Sequence, residues 1–270
     1  AWPVGGLYSY REGVVELISR VIFATAMTQT EDALFMAGNE LLRIEKNGLG
    51  INRKTLLFTA TGVTALEDRV LVSMQATGET IFRAVNPNSL LAEIDEIRRP
   101  GVVTGLTTTS SLAIATMSNP PRLLIIDRDL NTVDVPMSSF TDLGVADVVP
   151  STPHSIEPGR VTFVADCHAS AGKKHCVYDF DLDSRTVTDR IGVPDESMLM
   201  SLVADGSSLW LGGVMGVHRA YLNPLRPEPS DYTTIEHGVA AVVVADGTEG
   251  PRLLALASRP GEITILSPTP

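Results

Sequence analysis

Short apolar segments recur along the whole chain at a nearly constant spacing. Their first apolar residues are Leu34, Val70, Leu112, Val161, Leu209 and Leu253. Each segment is brief and rich in Val, Leu, Ile and Thr, a composition that is typical of a buried β-strand. The mean spacing is about 44 residues, which is the period of one blade in a β-propeller. The pattern therefore predicts six repeats of one supersecondary unit.

Each repeat has further strand-like segments on both sides of this central one. The segments before it are VIFATAM, GVTALE, VTGLTTT, VADVVP, MSLVADG and AAVVVADG. The segment after it leads in four repeats to a short polar turn, where a side chain can bond the nearby backbone. These turns lie at Asn86, Asp127, Asp181 and Asn223. The sequence thus predicts an all-β, six-bladed β-propeller with four-stranded antiparallel blades, formed by a single domain over residues 1–270.

Two segments need a separate interpretation. SLLAEIDEIRR has helical spacing at Leu90, Ile94 and Ile97, but it occupies the outer-strand position of the second repeat, so we interpret it as a strand. The sixth repeat stops after three strands, at GEITILSPTP. We expect the N-terminal segment GLYSYRE to supply the fourth strand and to close the ring without a long exposed sheet edge.

Composition limits the classes of partner. The chain has 21 basic and 32 acidic residues, a net charge of −11, and this surface would repel the phosphates of nucleic acids. No apolar run approaches the roughly 18 residues that a membrane-spanning helix needs. We therefore expect neither a nucleic-acid nor a membrane partner, and the sequence leaves the oligomeric state open.

The two cysteines, Cys167 and Cys176, lie at the ends of a segment between two strand-like runs. A hairpin that joins those runs would bring the sulfurs together, so the pair forms either a disulfide or two free thiols beside a loop. The sequence begins at Ala1, which we interpret as a processed chain or a fragment. A secreted or secretory location is the expectation that goes with the disulfide.

Two sets of loops share one face of such a propeller: those from outer to next inner strand, and those from second to third strand. Binding and catalytic residues concentrate on loops of a rigid scaffold. Three of the second-to-third loops are predicted to begin at Met36, Met74 and Met117, and Met215 adjoins a fourth. Methionine suits an apolar pocket, although packing between blades is the alternative for each. We predict a small-molecule site at this mouth.

Polar residues on the same loops are the candidates for chemistry. They are Asp166, His168, His218, His237 and Arg259. Asp166, His168 and His237 are titratable groups that could act as a general acid or base, while His218 and Arg259 would contact the substrate. Charged residues on loops are more often only solvated.

Several segments resemble the gluconolactonase and regucalcin-like six-bladed propellers, in particular a group of secreted fungal proteins. The segments are LYSYREGVVELI with Glu16, FTATGVTAL, VVTGLT with Thr104, DLGVADV with Ala146, and MLMSLVADG with Met198 and Leu199. Metal-dependent members of that family hold one divalent cation with a glutamate, two asparagines and an aspartate. Here the resemblance implies that only Glu16 remains, because the other positions are Thr104, Ala146 and Met198 or Leu199. We therefore predict no metal and no cofactor, and assign Thr104 and Met198 to the substrate site.

The resemblance also implies a function. Some fungal relatives are metal-free enzymes of natural-product pathways that steer a dehydration and a hetero-Diels–Alder cyclisation, and an apolar funnel suits such an activity. Glu16 would donate a proton if burial raises its pKa, or would serve as a structural carboxylate. The leading hypothesis is a pathway enzyme that acts on a small apolar molecule. The alternatives are a lactone or ester hydrolase and a propeller that binds another protein.

Overall fold

The structure is a computed structural model that describes most of the chain. It covers residues 6–11, 14–20, 24–46, 50–143, 149–166, 175–193, 199–205, 208–213, 216–222, 225–234, 239–247, 250–257 and 263–266. Within these ranges the regular structure is β-strand apart from one 3-10 helix, Met137–Leu143. Within the same ranges, no helix has the length and hydropathy needed to span a membrane.

One compact unit comprises Val4–Ser139 and Val149–Pro153. Its strands are β1 (Gly6–Arg11), β2 (Val14–Arg20), β3 (Ala24–Gln29), β4 (Ala33–Gly38), β5 (Glu40–Glu45), β6 (Ile51–Thr55), β7 (Ala60–Leu66), β8 (Arg69–Ala76), β9 (Glu79–Asn86), β10 (Ser89–Pro100), β11 (Val102–Thr109), β12 (Leu112–Ser118), β13 (Arg122–Ile126) and β14 (Thr132–Pro136). They form the hairpin β1–β2 and three four-stranded sheets, β3–β6, β7–β10 and β11–β14.

The other compact unit comprises Ala1–Pro3, Phe140–Val148 and His154–Pro270. Its strands follow β15 (Ser151–Glu157), which begins at the boundary. They are β16 (Arg160–Asp166), β17 (His175–Asp181), β18 (Thr186–Val193), β19 (Leu199–Asp205), β20 (Ser208–Gly213), β21 (Gly216–Leu222), β22 (Leu225–Thr234), β23 (Val239–Gly247), β24 (Gly250–Ala257) and β25 (Ile263–Leu266). The sheets are β15–β18, β19–β22 and the three-stranded β23–β25.

This architecture confirms the predicted repeat of antiparallel strands. Each of the six periodic apolar segments is the second strand of its sheet: β4, β8, β12, β16, β20 and β24. SLLAEIDEIRR is the outer strand β10, as predicted, and register shifts beside Glu93 absorb its irregular pattern. Apart from the hairpin β1–β2, five sheets in the described residues therefore have four strands and one, β23–β25, has three.

The second strands are continuously apolar because both of their faces are covered. In β8, Val70, Val72 and Met74 pack with the sheet β3–β6, in a cluster that includes Phe35. Leu71, between them, belongs instead to a cluster shared with β11–β14. The sheets thus pack face against face, and side chains that alternate along one strand reach two different cores.

Three of the four predicted polar turns are confirmed. The carboxylate of Asp127 accepts hydrogen bonds from the amides of Asp129 (2.9 Å) and Asn131 (2.8 Å). Asn86 accepts from the amide of Asn88 and Asp181 from that of Ser184. Asn223 lies outside the described residues.

One inner strand was predicted at the wrong place. The segment VADVVP was assigned to the fourth repeat, but the strand β15 has the sequence STPHSIE and begins at Ser151. VADVVP is the apolar run at this place in the sequence, whereas the segment that forms the strand is polar and contains Pro153. Since β15 is an edge strand of its sheet, it tolerates proline and does not need to be apolar. Ala146, the position matched to a family ligand, lies outside the described residues.

The N-terminal segment forms a hairpin in the described residues. β1 pairs antiparallel with β2, with Tyr10 opposite Val15 and Ser9 opposite Glu16. Its expected pairing with the three-stranded sheet stays a prediction.

Candidate functional site

The inner strands share a β-bulge at one position near their start. The pairing of inner with second strand skips one residue at Thr25 in β3, Thr61 in β7 and Thr104 in β11. The same shift occurs at Met200 in β19 and Ala240 in β23. A bulge leaves one residue unpaired and redirects its side chain, and bulges are frequent beside functional sites. The repeated bulge therefore marks a position worth testing.

Threonine occupies this position in consecutive repeats of the first unit. Thr152 stands at the matching place in β15, with a φ of 49°, which is unusual for a β-branched residue. We name Thr25, Thr61, Thr104 and Thr152 the threonine arc. Thr25 is exposed and the other three are half-buried, so none is closed off from solvent.

Hydroxyl groups tie the neighbouring inner strands together at this level. Thr25 donates to the carbonyl of Ala60 at 2.6 Å, which joins β3 to β7. Thr104 donates to the carbonyl of Pro150 at 2.5 Å, just before β15, and lies 3.0 Å from the Thr116 hydroxyl. The Thr61 hydroxyl lies 3.0 Å from that of Ser73 within its own sheet. The protons of Thr25 and Thr104 are thus directed at backbone carbonyls.

Small residues follow the bulges where the inner strands approach one another. A Cβ at Gly105 would come within 2.2 Å of Pro153 Cδ and 3.1 Å of the Thr152 amide nitrogen. A Cβ at Gly62 would meet Leu106 Cβ at 3.0 Å. These contacts bring β7 close to β11 and β11 close to β15 beside Thr61, Thr104 and Thr152.

Exposed apolar side chains lie in the connections that lead into two of these strands. Leu57, 80% exposed, and Phe58, 39% exposed, precede β7, and Val149 precedes β15. Phe58 and Val149 each stand three residues before a threonine of the arc. Contiguous apolar surface in water is characteristic of binding sites, so Leu57 and Phe58, which are adjacent in the chain, are candidates for contact with a ligand.

The three predicted pocket methionines in the described residues belong to the cores. Met74 and Met117 are fully buried between sheets, and Met36 packs with Leu42 and Ile44. All three lie within strands rather than at loop starts, because the strands extend to Gly38, Ala76 and Ser118. Their positions favour the packing alternative, and their role in a pocket stays a prediction.

Two predicted polar residues lie in the second unit. Asp166 is the last residue of β16 and is exposed. Its backbone lies opposite that of His175 at the end of the ladder between β16 and β17. His218 lies in β21 opposite Leu211, and its partial burial lowers its pKa. His154 on the inner strand β15 was not predicted; burial lowers its pKa as well, which favours the neutral imidazole at neutral pH.

The side chains of the remaining predicted residues lie outside the described part of the structure. Glu16 lies on β2, but its side chain is outside the described part of the structure. His168, Met198, Met215, His237 and Arg259 also lie outside the described residues. Cys176 is disulfide-bonded, and the only other cysteine of the sequence, Cys167, is outside the described residues.

The residues at the family's ligand positions do not fit a divalent cation. Calcium needs six to eight oxygen ligands, and the side chains of Ala146 and of Met198 or Leu199 supply none. The Thr104 hydroxyl supplies a single neutral oxygen, and its proton is donated to the Pro150 carbonyl. Among the described side chains, no three His, Cys, Asp or Glu residues form a cluster suited to a metal.

Sequence-based comparisons give no relative: no family model and no curated protein matches the chain. Solved structures do match. A catalytically inactive virginiamycin B lyase from Staphylococcus aureus with quinupristin has a TM-score of 0.68 at 13% identity, over 91% of this chain and 81% of that one. The Cps50 (Swd1) β-propeller domain from Myceliophteria thermophila gives 0.65 at 12%, over 95% and 88%. BamB from Moraxella catarrhalis gives 0.62 at 11%, over 94% and 88%. The chain has the β-propeller fold. At these identities the likeness carries no information on activity.

The threonine arc has a local signal in the sequence, although none of the predicted site residues except Thr104 belongs to it. The tripeptides Ala-Thr-Ala, Ala-Thr-Gly and Val-Thr-Gly stand at the bulges of β3, β7 and β11, and Ser-Thr-Pro stands at the start of β15. A search for charged and sulfur-containing groups passes over neutral hydroxyls. Alignment of the inner strands by their threonines would have located both the arc and the true start of β15.

Proposed function

We propose that this β-propeller is a metal-free enzyme that binds an uncharged small molecule at the mouth formed by its inner strands. The observation that carries this proposal is the absence of charged residues from three of those strands, β3, β7 and β11, whereas β15, β19 and β23 each contain one carboxylate. The position matched to a metal ligand is the hydrogen-bonded Thr104. Such a surface suits positioning of a neutral substrate better than stabilisation of a metal-bound anion.

The reaction that fits the resemblance to the fungal gluconolactonase-like branch is a dehydration followed by cyclisation. In the first step a hydroxyl leaves one carbon and a proton leaves its neighbour, together forming one water and a new double bond. In the second step three electron pairs rearrange and close a ring with no atom gained or lost. Glu16, Asp166, His168 and His237 are the proposed proton donors and acceptors, and the neighbouring lyase shows that enzymes occur on this fold.

The six sheets are proposed to form one six-bladed ring and a single domain over residues 1–270, with residues 6–11 completing the last blade. Support comes from the 44-residue period and the propeller fold of the structural neighbours. A secreted or secretory location is proposed because Cys176 is disulfide-bonded. Two free thiols in freshly isolated protein would contradict that location.

The function is tested with a small-molecule extract from a strain of the source organism in which the gene for this protein is deleted. Purified protein, treated with EDTA and then freed of it, is added, and the extract is followed by mass spectrometry. We expect one compound to lose the mass of one water, and we expect Glu16→Gln to abolish that change while the protein stays folded. Conversion that requires added calcium or zinc would contradict the metal-free proposal.

The alternatives give different results in the same assay. A gain of one water, in the extract or with gluconolactone as probe, identifies the hydrolase. Linearisation of quinupristin without change in mass identifies a lyase of the kind found among the structural neighbours. No change in any compound overturns the enzyme proposal in favour of the protein-binding propeller.

A further inference from the structure

We propose that the threonine arc is a binding site for an uncharged small molecule with an apolar body and N–H or O–H groups that donate hydrogen bonds. The inference deepens the proposed function and rests on it only in taking the ligand to be a small molecule. It concerns residues to which neither the resemblance nor the sequence assigned a shared role.

The four threonines lie at equivalent positions along neighbouring inner strands. β3 and β7 run side by side in the same direction, because Thr25 bonds the Ala60 carbonyl while Thr28 accepts from the Ala65 amide at 3.2 Å. β7 and β11 are joined in the same way, by a hydrogen bond between the hydroxyl oxygens of Thr64 and Thr108, which lie 2.5 Å apart. Parallel neighbours in this register keep their bulges at one height.

The hydrogen-bonding capacity of the threonine hydroxyls determines which ligand groups they can bind. A threonine hydroxyl has one proton and two lone pairs. Thr25 and Thr104 direct their protons at the carbonyls of Ala60 and Pro150, and Thr61 has the Ser73 hydroxyl and carbonyl within reach. At Thr25 and Thr104 the groups left for a ligand are therefore oxygen lone pairs, which accept hydrogen bonds. A ligand that only accepts, such as a carboxylate, would find no donor at these two residues.

Three exposed apolar side chains, which we name the apolar rim, lie in the connections before β7 and β15. Leu57 and Phe58 before β7, and Val149 before β15, are exposed in the same connections that lead to the arc. No charged residue occurs in β3, β7 or β11 to attract an ion. Neutral acceptors beside apolar side chains match a molecule with a hydrophobic body and few donors, as small-molecule sites commonly do.

The test compares three probes of one shape: 4-phenylphenol, 4-methoxybiphenyl and biphenyl-4-carboxylate. Ligand-observed NMR and titration calorimetry measure their binding to the full chain. We expect 4-phenylphenol to bind at least tenfold more tightly than the other two, because it alone can donate to the arc without carrying a charge. Equal binding of all three, or no binding of 4-phenylphenol, would overturn the proposal.

Matched variants locate the binding. Thr61→Val removes one acceptor of the arc and should weaken 4-phenylphenol about tenfold, while Thr61→Ser should retain it. Thr64→Val, three residues along the same strand, breaks the buried contact with Thr108 and should lower the melting temperature without changing affinity. If Thr61→Val binds like the parent protein, the arc is not the site.

The apolar rim has its own control. Phe58→Ser should weaken binding, whereas Ile94→Ser on the outer strand β10 should not, although the two side chains are exposed to similar extents, 39% and 42%. Binding at the arc without turnover of any compound would retain this site and reject the proposed enzyme. Turnover that Thr61→Val leaves intact would do the opposite.

Discussion

At the scale of single residues, the inner strands are limited by how closely their backbones approach. Gly105 follows the bulge at Thr104, and the space that a Cβ would need there is taken by the ring of Pro153 and the amide of Thr152. A proline ring and a backbone amide cannot rotate away. This contact explains a glycine in the middle of a strand, where the residue is otherwise unfavourable.

We expect Gly105→Ala to destabilise the protein by about 1–3 kcal/mol, the usual cost of overpacking. Urea unfolding measures the difference. Gly50→Ala is the control, because its new methyl group would meet only the flexible side chain of Glu45, at 3.0 Å; it should change the free energy of unfolding by less than about 0.5 kcal/mol. Equal stability of the two variants would show that β11 and β15 are farther apart than described.

At the scale of elements, the outer strands β6 and β10 are joined by an ion pair. Lys54 on β6 contacts Glu93 on β10 at 2.7 Å and thereby links two sheets. Arg83, which is buried on β9, contacts the same carboxylate at 2.8 Å and Glu96 at 2.6 Å. The hydrogen bond from Lys54 lowers the pKa of the Glu93 carboxyl below its ordinary value of 4.5.

Lys54→Met should therefore cost up to about 1 kcal/mol at pH 7, a small amount because the Glu93 side chain is nearly half exposed. Since the pKa of Glu93 is lower in the folded state, its contribution is present above pH 4.5 and is lost as the pH falls through the folded value. The difference between variant and parent should close in acid and shrink in high salt. Arg53→Met is the control, because Arg53 lies 3.8 Å from Glu40 and both side chains are exposed; a similar loss there would rule out a specific role for Lys54.

The elements also show what hydrophobic pattern can predict. Second strands such as β8 are covered on both faces, so every position is apolar and the segment is visible in the sequence. The inner strand β15 lies at a sheet edge, and with Pro153 and His154 it has no apolar pattern at all. Bulges add a further gap, because the residue at Thr61 is distinguished by backbone pairing and not by polarity. The β-propeller fold is therefore predictable from the hydrophobic pattern, whereas the threonine arc is visible only in the spacing of threonines along the inner strands.

At the scale of the whole molecule, the last repeat is the point that decides how the propeller ends. Its sheet has the three strands β23, β24 and β25, so β25 has no outer partner among the described pairings. β1 pairs with β2, and a strand has a second edge that is able to pair. The proposed closure requires residues 6–11 to use this second edge.

This closure is tested by hydrogen exchange on a variant that lacks residues 1–11. If β1 pairs only with β2, its removal should speed amide exchange within Val14–Arg20 alone. If it also completes the last blade, exchange should rise in Ile263–Leu266 as well, because those amides lose a ladder of hydrogen bonds. We expect both segments to respond, and a deletion of residues 267–270 to leave both unchanged. Unaltered exchange in β25 would show that the ring, if it closes, does so without the N-terminal strand.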